Sequence, residues 1–287
     1  MKKSPRRLRN SPRPASSARR GAADTLSAQA RAFQESRVLL TAIELDVFTA
    51  VGKGATAAAV ARRCGTHPRS TEMLLNALTA IGGLRKRGGR FYNTPRTAKL
   101  FVAGSPSCER DAWMHTVHLW DRWSNLTECV RQGAPRGRRE AADRGAAWLE
   151  SFIAAMHRNA QTMAPMVAKA VGLSGVRRML DVGGGSGAYA IAFAKASRTL
   201  QADVLDLPPV LPIAERHIRE AGLPGRVRTR PGDLRSGALG ENYDLILLSA
   251  ICHMLTPEEN QDLLQRCFAA LAPGGRVVIR DFVLNPD

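Results

Sequence analysis

The sequence predicts an α/β protein in which a helical domain with a two-stranded wing precedes a domain with a parallel sheet. Two observations support this prediction. In the second half of the chain, short apolar runs alternate with helical patterns, which is typical of parallel strands joined by crossover helices. In the first half, three helical patterns precede two short strand candidates around Gly88 and Gly89. The 287 residues are enough for two domains with their own cores.

The second half is organised around a glycine-rich turn at residues 183–187. An apolar run at residues 179–182 predicts a buried strand before the turn, and an Ala-rich run predicts a helix after it. This order begins a nucleotide-binding βαβ unit, in which glycines let backbone N–H groups approach a ligand. The spacing of Gly183, Gly185 and Ala188 also matches the dinucleotide fingerprint, so a nicotinamide or flavin enzyme stays open at this point.

Four further strand candidates follow, each ending near a polar or glycine-rich motif. Residues 201–206 end in an aspartate, and a third candidate closes at Gly-Asp-Leu, residues 232–234. Residues 243–251 are the fourth, and residues 271–281 combine a helix end, a Pro-Gly-Gly turn and the fifth. Ligands of such sheets bind beyond the carboxyl ends of the strands, where these motifs lie.

Together the motifs resemble the Rossmann-like S-adenosylmethionine-dependent methyltransferases, and more narrowly the O-methyltransferase family of plant caffeate, acetylserotonin and bacterial polyketide enzymes. The resemblance covers roughly residues 24–287 and is carried by Asp-Val-Gly-Gly-Gly-Ser-Gly, Asp-Leu-Pro, Gly-Asp-Leu, Ile-Cys-His and Leu-Ala-Pro-Gly-Gly. It implies a class I methyltransferase domain at residues 173–287 and an all-α/winged-helix dimerisation domain at residues 24–108. It also implies S-adenosyl-L-methionine as cofactor, a small hydroxyl acceptor of aromatic or polyketide type, and a homodimer.

The resemblance further implies that residues at the ends of the first three strands bind the cofactor. These residues are Asp181, Gly183, Gly185, Gly187, Asp206, Leu207, Asp233 and Leu234. Asp181 and the glycines are expected to hold the methionine part of the cofactor. Asp206 is expected to accept hydrogen bonds from the ribose hydroxyls, and Asp233 and Leu234 are expected to flank the adenine.

The candidate catalytic residues are His253 and Asp281. Methyl transfer to an oxygen is a direct displacement, and because a phenol has a pKa of about 10, a general base helps near neutral pH. His253 follows the fourth strand in the Ile-Cys-His context of the family's base, although Met254 and Leu255 replace the family's Asp-Trp pair. Asp281 ends the fifth strand, where the family has an acid that orients the base and plant enzymes have Glu.

Residues 109–172 predict a largely helical linker with a Pro/Gly/Arg-rich break at residues 133–138. Helical spacing of its aromatic and Met residues is by itself typical of a core. The resemblance implies instead that the helix before the glycine turn lines the acceptor pocket. The expected substrate-binding residues are Phe152, Met156 and Met163. His115 and His118 are expected to be structural or exposed.

The helices and wing of the first domain allow two interpretations. If the domain is a DNA-binding winged helix, residues 68–81 are its recognition helix and the cations of the wing contact phosphates. Those cations are Arg85, Lys86, Arg87 and Arg90. The resemblance favours dimerisation and closure over the substrate instead.

The net charge of +17 is unevenly distributed, because residues 1–23 contain eight basic residues and no acid. This composition predicts a disordered basic tail, either a solvated extension or a nonspecific contact to nucleic acid. No apolar run reaches the roughly 18 residues of a membrane helix, and none follows the basic start as in a secretory signal. The five widely spaced cysteines predict reduced thiols, a cytoplasmic location and no metal site.

The family sheet continues with two more strands, a helix and a second acid. We therefore expect an incomplete sheet that ends on its fifth strand, as a fragment or as a truncated, inactive methyltransferase. Three further interpretations stay open: a nicotinamide oxidoreductase, an RNA methyltransferase, and a winged-helix DNA-binding regulator that senses S-adenosylmethionine. The sequence lacks an Asn-Pro-Pro-Tyr motif and paired catalytic cysteines, which weakens the case for an RNA methyltransferase.

Overall fold

The computed structural model describes residues 17–133 and 145–283, with side chains from residue 25 onward. These residues form two compact units that divide after Cys108. The predicted disorder of residues 1–23 falls mainly outside the described residues, but its last part is wrong. Helix α1 already begins at Ser17. The prolines of the tail end at Pro14, and the Ala and Arg residues that follow have high helix propensity.

The first unit has the predicted order of helices and wing. Its elements are α1 (Ser17–Glu44), α2 (Val47–Val51), α3 (Ala57–Cys64), α4 (Pro68–Ala80), β1 (Leu84–Arg87), β2 (Arg90–Asn93) and α5 (Pro95–Phe101). The helical pattern predicted for residues 24–51 is interrupted, because Asp46 has a left-handed backbone (φ 53°) between α1 and α2. Helix α5 is absent from the predicted elements, although Thr94 and Thr97 form a capping box at its start.

The wing is tied to the helices by polar and apolar contacts. Strands β1 and β2 pair antiparallel, with Leu84 opposite Asn93. The Asn93 amide donates to the carbonyl oxygens of Phe48 (2.9 Å) and Gly52 (3.1 Å). Phe48 is buried and stacks on Phe101 at 5.1 Å between ring centroids. The hairpin therefore belongs to the same core as α2 and α5.

The second unit is a parallel α/β sheet preceded by helices, which confirms the predicted fold class. The helices are α6 (Arg110–Ser124), α7 (Leu126–Gln132) and α8 (Ala146–Val171). They precede β3 (Arg178–Val182), α9 (Ala188–Ala196), β4 (Gln201–Asp206), α10 (Leu211–Glu220), β5 (Val227–Pro231), β6 (Tyr243–Ser249), α11 (Pro257–Ala270) and β7 (Leu271–Arg280). The strand order is β5-β4-β3-β6-β7, and every pair is parallel. The chain therefore reverses its direction of travel across the sheet beside β3, the place where such sheets bind ligands.

Both faces of this sheet are buried. Met179 and Leu245 belong to the core on the side of α8 and α9, whereas Leu180 and Ile246 belong to the core on the side of α11. Because successive residues alternate between two buried faces, the central strands β3 and β6 are mostly apolar. This explains why they stand out as continuous apolar runs in the sequence.

Strand β7 lies at the edge of the sheet and pairs only with β6 within the described residues. The expected Pro-Gly-Gly turn lies inside this strand as an irregularity, because the register jumps from Tyr243 opposite Leu271 to Leu245 opposite Arg276. The prediction that two further strands are missing stays a prediction. None of the described helices is long and apolar enough to cross a membrane.

Candidate active site

The glycine turn between β3 and α9 is held by backbone hydrogen bonds to β4. The N–H groups of Gly183 and Gly184 both donate to the Leu205 carbonyl, at 2.8 and 3.3 Å. A Cβ atom on Gly183 would come within 2.6 Å of the Ile251 side chain, and this glycine has a positive φ of 65°. The turn therefore needs glycine here for both backbone conformation and space. Residues 183–185 stay half-exposed, so their backbone is available to a ligand.

Asp206 lies where the ribose-binding acid is predicted. Its Oδ2 accepts the Gly185 N–H and its Oδ1 accepts the Leu207 N–H, both at 2.8 Å. Burial raises the pKa of Asp206, and these two hydrogen bonds oppose that increase. A carboxylate has about four acceptor positions, so two remain for the hydroxyls of a ribose. The residues present therefore fit a nucleoside cofactor at this point.

Asp181 is placed differently from a residue that holds the cofactor directly. Its side chain is buried, with 1% of the residue exposed, and its Oδ2 accepts the Ala190 N–H in the first turn of α9 at 3.3 Å. Burial raises the pKa of Asp181 to about 7, the Ala190 hydrogen bond opposes the increase, and Asp206 adds to it. In this structure the Asp181 carboxyl group lies buried beside Gly184 and is bonded to the first turn of α9. Direct contact with a cofactor stays a prediction.

Leu234 and Asp233 lie on the loop after β5. Leu234 packs against the core beside α11, and its Cδ2 would lie 3.4 Å from a Cβ atom on Gly183. The Arg266 guanidinium donates to the Leu234 carbonyl at 2.6 Å and fixes the loop. Asp233 is exposed and accepts the Arg235 N–H at 2.8 Å. Leu234 is therefore next to the glycine turn, while the adenine-binding role of both residues stays a prediction.

His253 and Asp281 are brought together by the neighbouring strands β6 and β7. His253 lies in a 3₁₀ turn (Cys252–Met254) after β6, and its Nδ1 is 2.7 Å from Asp281 Oδ1. The His253 backbone N–H also donates to Asp281 Oδ2 at 3.2 Å. Because a carboxylate only accepts hydrogen bonds, Nδ1 is the donor in this pairing, and Nε2 is the unprotonated nitrogen of the neutral tautomer. The His253 side chain is 40% exposed, so Nε2 is the ring nitrogen available to an acceptor.

The Asp281 carboxylate is held in its charged form. Burial by itself would raise the pKa of Asp281, but hydrogen bonds from the Phe282 N–H and from His253 outweigh it, so the pKa lies below its ordinary value. Its side chain is only 8% exposed. A charged carboxylate at this position can orient the imidazole and stabilise its protonated form. The shorter reach of Asp compared with Glu does not prevent the contact.

Phe152 is the predicted acceptor residue with the most defined surroundings. Its ring stacks on Trp148 at 5.1 Å with an interplanar angle of 8°, and the His115 ring lies 5.3 Å away edge-on. Phe152 and Leu207 both pack against one small cluster that contains Ile153. The first half of α8 therefore lies near the loop that follows Asp206.

Met156 is half-buried and Met163 is 36% exposed, and their role in acceptor binding stays a prediction. The two histidines expected to be structural lie between α6 and α8. His118 Nδ1 contacts Ser151 Oγ at 3.0 Å, and His115 belongs to the aromatic contacts of Phe152. Burial lowers the pKa of His115, and His118 and Arg122 contribute to the same effect.

Sequence reasoning missed a histidine that contacts the glycine turn. His157 of α8 has its Nδ1 2.8 Å from the Ser186 hydroxyl, and its ring stacks on His217 of α10 at 3.9 Å between centroids. Ser186 is part of the glycine motif, but its partner lies 29 residues earlier on another helix. A local sequence pattern carries no information on such a contact.

The comparisons with known proteins match a separate family model to each of the two structural units. Residues 123–287 match a family model described as an O-methyltransferase domain, and residues 28–104 match an O-methyltransferase dimerisation domain. A 3-hydroxy-5-methyl-1-naphthoate 3-O-methyltransferase of Streptomyces sahachiroi is 35% identical over 267 residues, which cover 88% of this chain and 75% of that protein. An L-tyrosine C(3)-methyltransferase of Streptomyces lavendulae is 28% identical over 271 residues, covering 90% and 73%.

Among solved structures, human N-acetylserotonin methyltransferase in complex with S-adenosylmethionine superposes with a TM-score of 0.74. It is 25% identical in sequence, and the match covers 93% of this chain and 80% of that one. The likeness therefore extends over both units of the chain.

The buried carboxyl group of Asp181 generates a prediction about stability. Its pKa is about 7 in the folded protein against an ordinary value of 3.8, so the folded state holds its proton more tightly than the unfolded state between these values. Wild-type stability should therefore fall as the pH rises from 4 through 7. Asp181→Asn keeps an acceptor for the Ala190 N–H but cannot ionise, so its advantage over wild type should grow to about 2–4 kcal/mol by pH 8. Urea unfolding from pH 5 to pH 8 measures this difference, and parallel profiles would contradict it.

Proposed function

The chain belongs to the O-methyltransferase family, and on this premise we propose that it methylates a hydroxyl group of a small aromatic or polyketide acceptor with S-adenosyl-L-methionine as cofactor. The observation that carries the proposal is the hydrogen-bonded pair of His253 and Asp281 at the same edge of the sheet as the glycine turn. Ile251, which precedes the His253 turn, has its side chain directly against Gly183. The candidate base therefore lies near the candidate nucleoside-binding turn, which supports the proposal.

In this mechanism S-adenosyl-L-methionine, when bound, supplies an electrophilic methyl group on its sulfonium. The backbone of the glycine turn and the Asp206 carboxylate would hold it. His253 Nε2 would take the proton of the acceptor hydroxyl, and Asp281 would hold the Nδ1 proton and stabilise the imidazolium that results. A positioned general base of this kind contributes roughly 10²- to 10⁴-fold to the rate.

The family assignment favours this enzyme over the interpretations that the sequence leaves open. A nicotinamide or flavin oxidoreductase and a DNA-binding regulator are both disfavoured by relatives that are methyltransferases across both units. The acceptor atom is the finer part of the proposal, because one relative methylates carbon. The His253–Asp281 pair supports a phenolic acceptor, whose hydroxyl proton a neutral imidazole can remove. The family model and the naphthoate 3-O-methyltransferase relative favour oxygen as the methylated atom. A cytoplasmic location stays a prediction.

The first prediction from the proposed function concerns cofactor binding. Asp206→Ala removes the acceptor for ribose hydroxyls and for the Gly185 N–H, so affinity for S-adenosylhomocysteine should fall by about 1–3 kcal/mol. Isothermal calorimetry measures this change. Asp203→Asn is a matched control on the same strand, because Asp203 accepts a hydrogen bond from the Tyr243 hydroxyl instead. Binding of NADH without any affinity for S-adenosylhomocysteine would overturn the methyltransferase proposal.

The second prediction concerns the base. His253→Ala should lower the rate of methyl transfer to a phenol by roughly 10²- to 10⁴-fold near pH 7, with cofactor affinity nearly unchanged. The loss should shrink as the pH approaches the phenol's own pKa of about 10, because phenolate then forms without the base. Asp281→Asn should cause a smaller loss of the same kind. The measurement is a pH–rate profile with one accepted phenol and identification of the methylated atom.

Cys252→Ala, in the same 3₁₀ turn, is the control for the base variants and should keep the wild-type rate. Equal rates for wild type and His253→Ala at pH 7, with chemistry rate-limiting, would remove His253 from the mechanism. Proximity and orientation would then carry the catalysis.

The third prediction concerns assembly. We expect a homodimer formed by the first unit, which presents exposed apolar side chains on α1 and α4. These are Leu26, Phe33 and Met73, with 67%, 56% and 64% of their surfaces exposed. Sedimentation of the full chain at micromolar concentration should give twice the chain mass of 31.1 kDa. A monomer that binds duplex DNA tightly would instead favour the regulator.

A further inference from the structure

Ser186 is the only residue of the glycine turn at positions 183–187 that has a side chain. The residue is 3% exposed, and its hydroxyl contacts His157 Nδ1 at 2.8 Å. His157 belongs to α8, which packs against α9 and against the core that contains Met179 and Leu245. The contact is therefore a side-chain link from this turn to α8, alongside the backbone bonds that hold the turn to β4.

The proton positions in this link follow from the residue on the other side of the ring. His157 Nε2 lies 3.0 Å from the Gln161 amide nitrogen, which can only donate. With the Gln161 amide nitrogen toward the ring, Nε2 is the acceptor, and in this tautomer Nδ1 carries the proton that it donates to the Ser186 oxygen. Gln161, His157 and Ser186 thus form a chain of hydrogen bonds with one direction, which requires a neutral imidazole.

We propose that His157 is a positioning residue of the cofactor site, which holds the glycine turn in its binding geometry by donating its Nδ1 proton to Ser186. The inference rests on the proposed cofactor site. His157 is not a catalytic residue, because its bonds are to Ser186 and Gln161 and its effect on the cofactor is transmitted through the turn.

The surroundings keep the ring neutral. Burial, with a further contribution from the stacked His217, lowers the pKa of His157 to about 4, and Glu220 opposes the decrease. The charged groups that act on the stacked His157 and His217 rings are Arg216 and Glu220 from α10 and Glu150 from α8. Because the pKa lies well below 6.5, the imidazole is neutral at neutral pH. Protonation of Nε2 as the pH falls toward 4 removes the acceptor for the Gln161 amide and leaves the Nδ1 proton donated to Ser186.

The test compares substitutions that differ only in where they place a donor. In His157→Asn the amide nitrogen replaces Nδ1, whereas in His157→Gln it replaces Nε2. S-adenosylhomocysteine affinity by calorimetry at pH 7 should fall about five- to thirty-fold in His157→Phe, His157→Gln and Ser186→Ala. His157→Asn should stay within about twofold of wild type. The double variant His157→Phe/Ser186→Ala should lose no more than either single variant, because both remove the same bond.

His118→Phe is the matched control, since His118 makes the same kind of Nδ1 contact to a serine, Ser151, between α6 and α8. It should leave the affinity unchanged. The ratio of the dissociation constants of wild type and His157→Asn should also be constant between pH 6 and pH 8, because His157 is neutral throughout. Equal losses in the Asn and Gln variants, or a ratio that changes with a midpoint between pH 6 and pH 7, would overturn the proposal.

Hydrogen exchange in the ligand-free protein separates this inference from the proposed function. Exchange of the amides at residues 183–187 should become faster in His157→Phe and should stay at the wild-type rate in His157→Asn. Unchanged exchange in His157→Phe overturns the inference even if the cofactor binds. Failure of wild type to bind S-adenosylhomocysteine overturns the proposed cofactor function, and the exchange rates still decide whether His157 holds the turn.

Discussion

The interaction on which the site depends is the set of hydrogen bonds between the glycine turn and the carboxyl end of β4. Leu205 accepts from two successive amides of the turn, and Asp206 accepts from a third. The turn therefore lies close to β4, and a Cβ atom on Gly184 would come within 2.8 Å of the Val204 side chain. On its other side, a Cβ atom on Gly183 would meet the side chains of Ile251 and Leu234. The hydrogen bonds that hold the turn to β4 therefore also fix the backbone that the proposed ligand would contact.

This constraint has an electrostatic cost. Asp181 and Asp206 are both removed from water on either side of the turn, and burial raises the pKa of each. Backbone N–H groups offset part of the cost, and the first turn of α9 adds partial positive charge. Asp206 keeps two acceptor positions free, which favours a ligand with hydroxyl groups at this point.

The sequence predicted the parts of this protein that depend on local pattern. The strands β3, β4 and β6 are apolar because both faces of the sheet are buried, and their ends carry the motifs on which the family resemblance rests. The roles of His253 and Asp281 were predicted from the family resemblance of the residues that follow two strands, and parallel pairing of β6 and β7 brings the two side chains together.

The features that sequence reasoning missed depend on contacts distant along the chain or on fine backbone geometry. The break at Asp46 and the helix after Thr94 follow from local backbone and capping geometry that apolar spacing does not report. The inward orientation of Asp181 depends on α9, and the partner of Ser186 lies on α8. A motif shows which residue types stand at the turn, whereas the direction of each side chain is decided by what packs around it.

Strand β7 has a neighbour on one side only within the described residues, and the apolar side chains of Ile279 and Phe282 are exposed beside it. The backbone N–H and C=O groups of such an edge can pair with a further strand, either from the same chain or from another molecule. Where the strand comes from another molecule, the net charge of +17 opposes the association, and added salt screens this repulsion over about 10 Å at 0.1 M. The effect of salt on association therefore distinguishes the two cases.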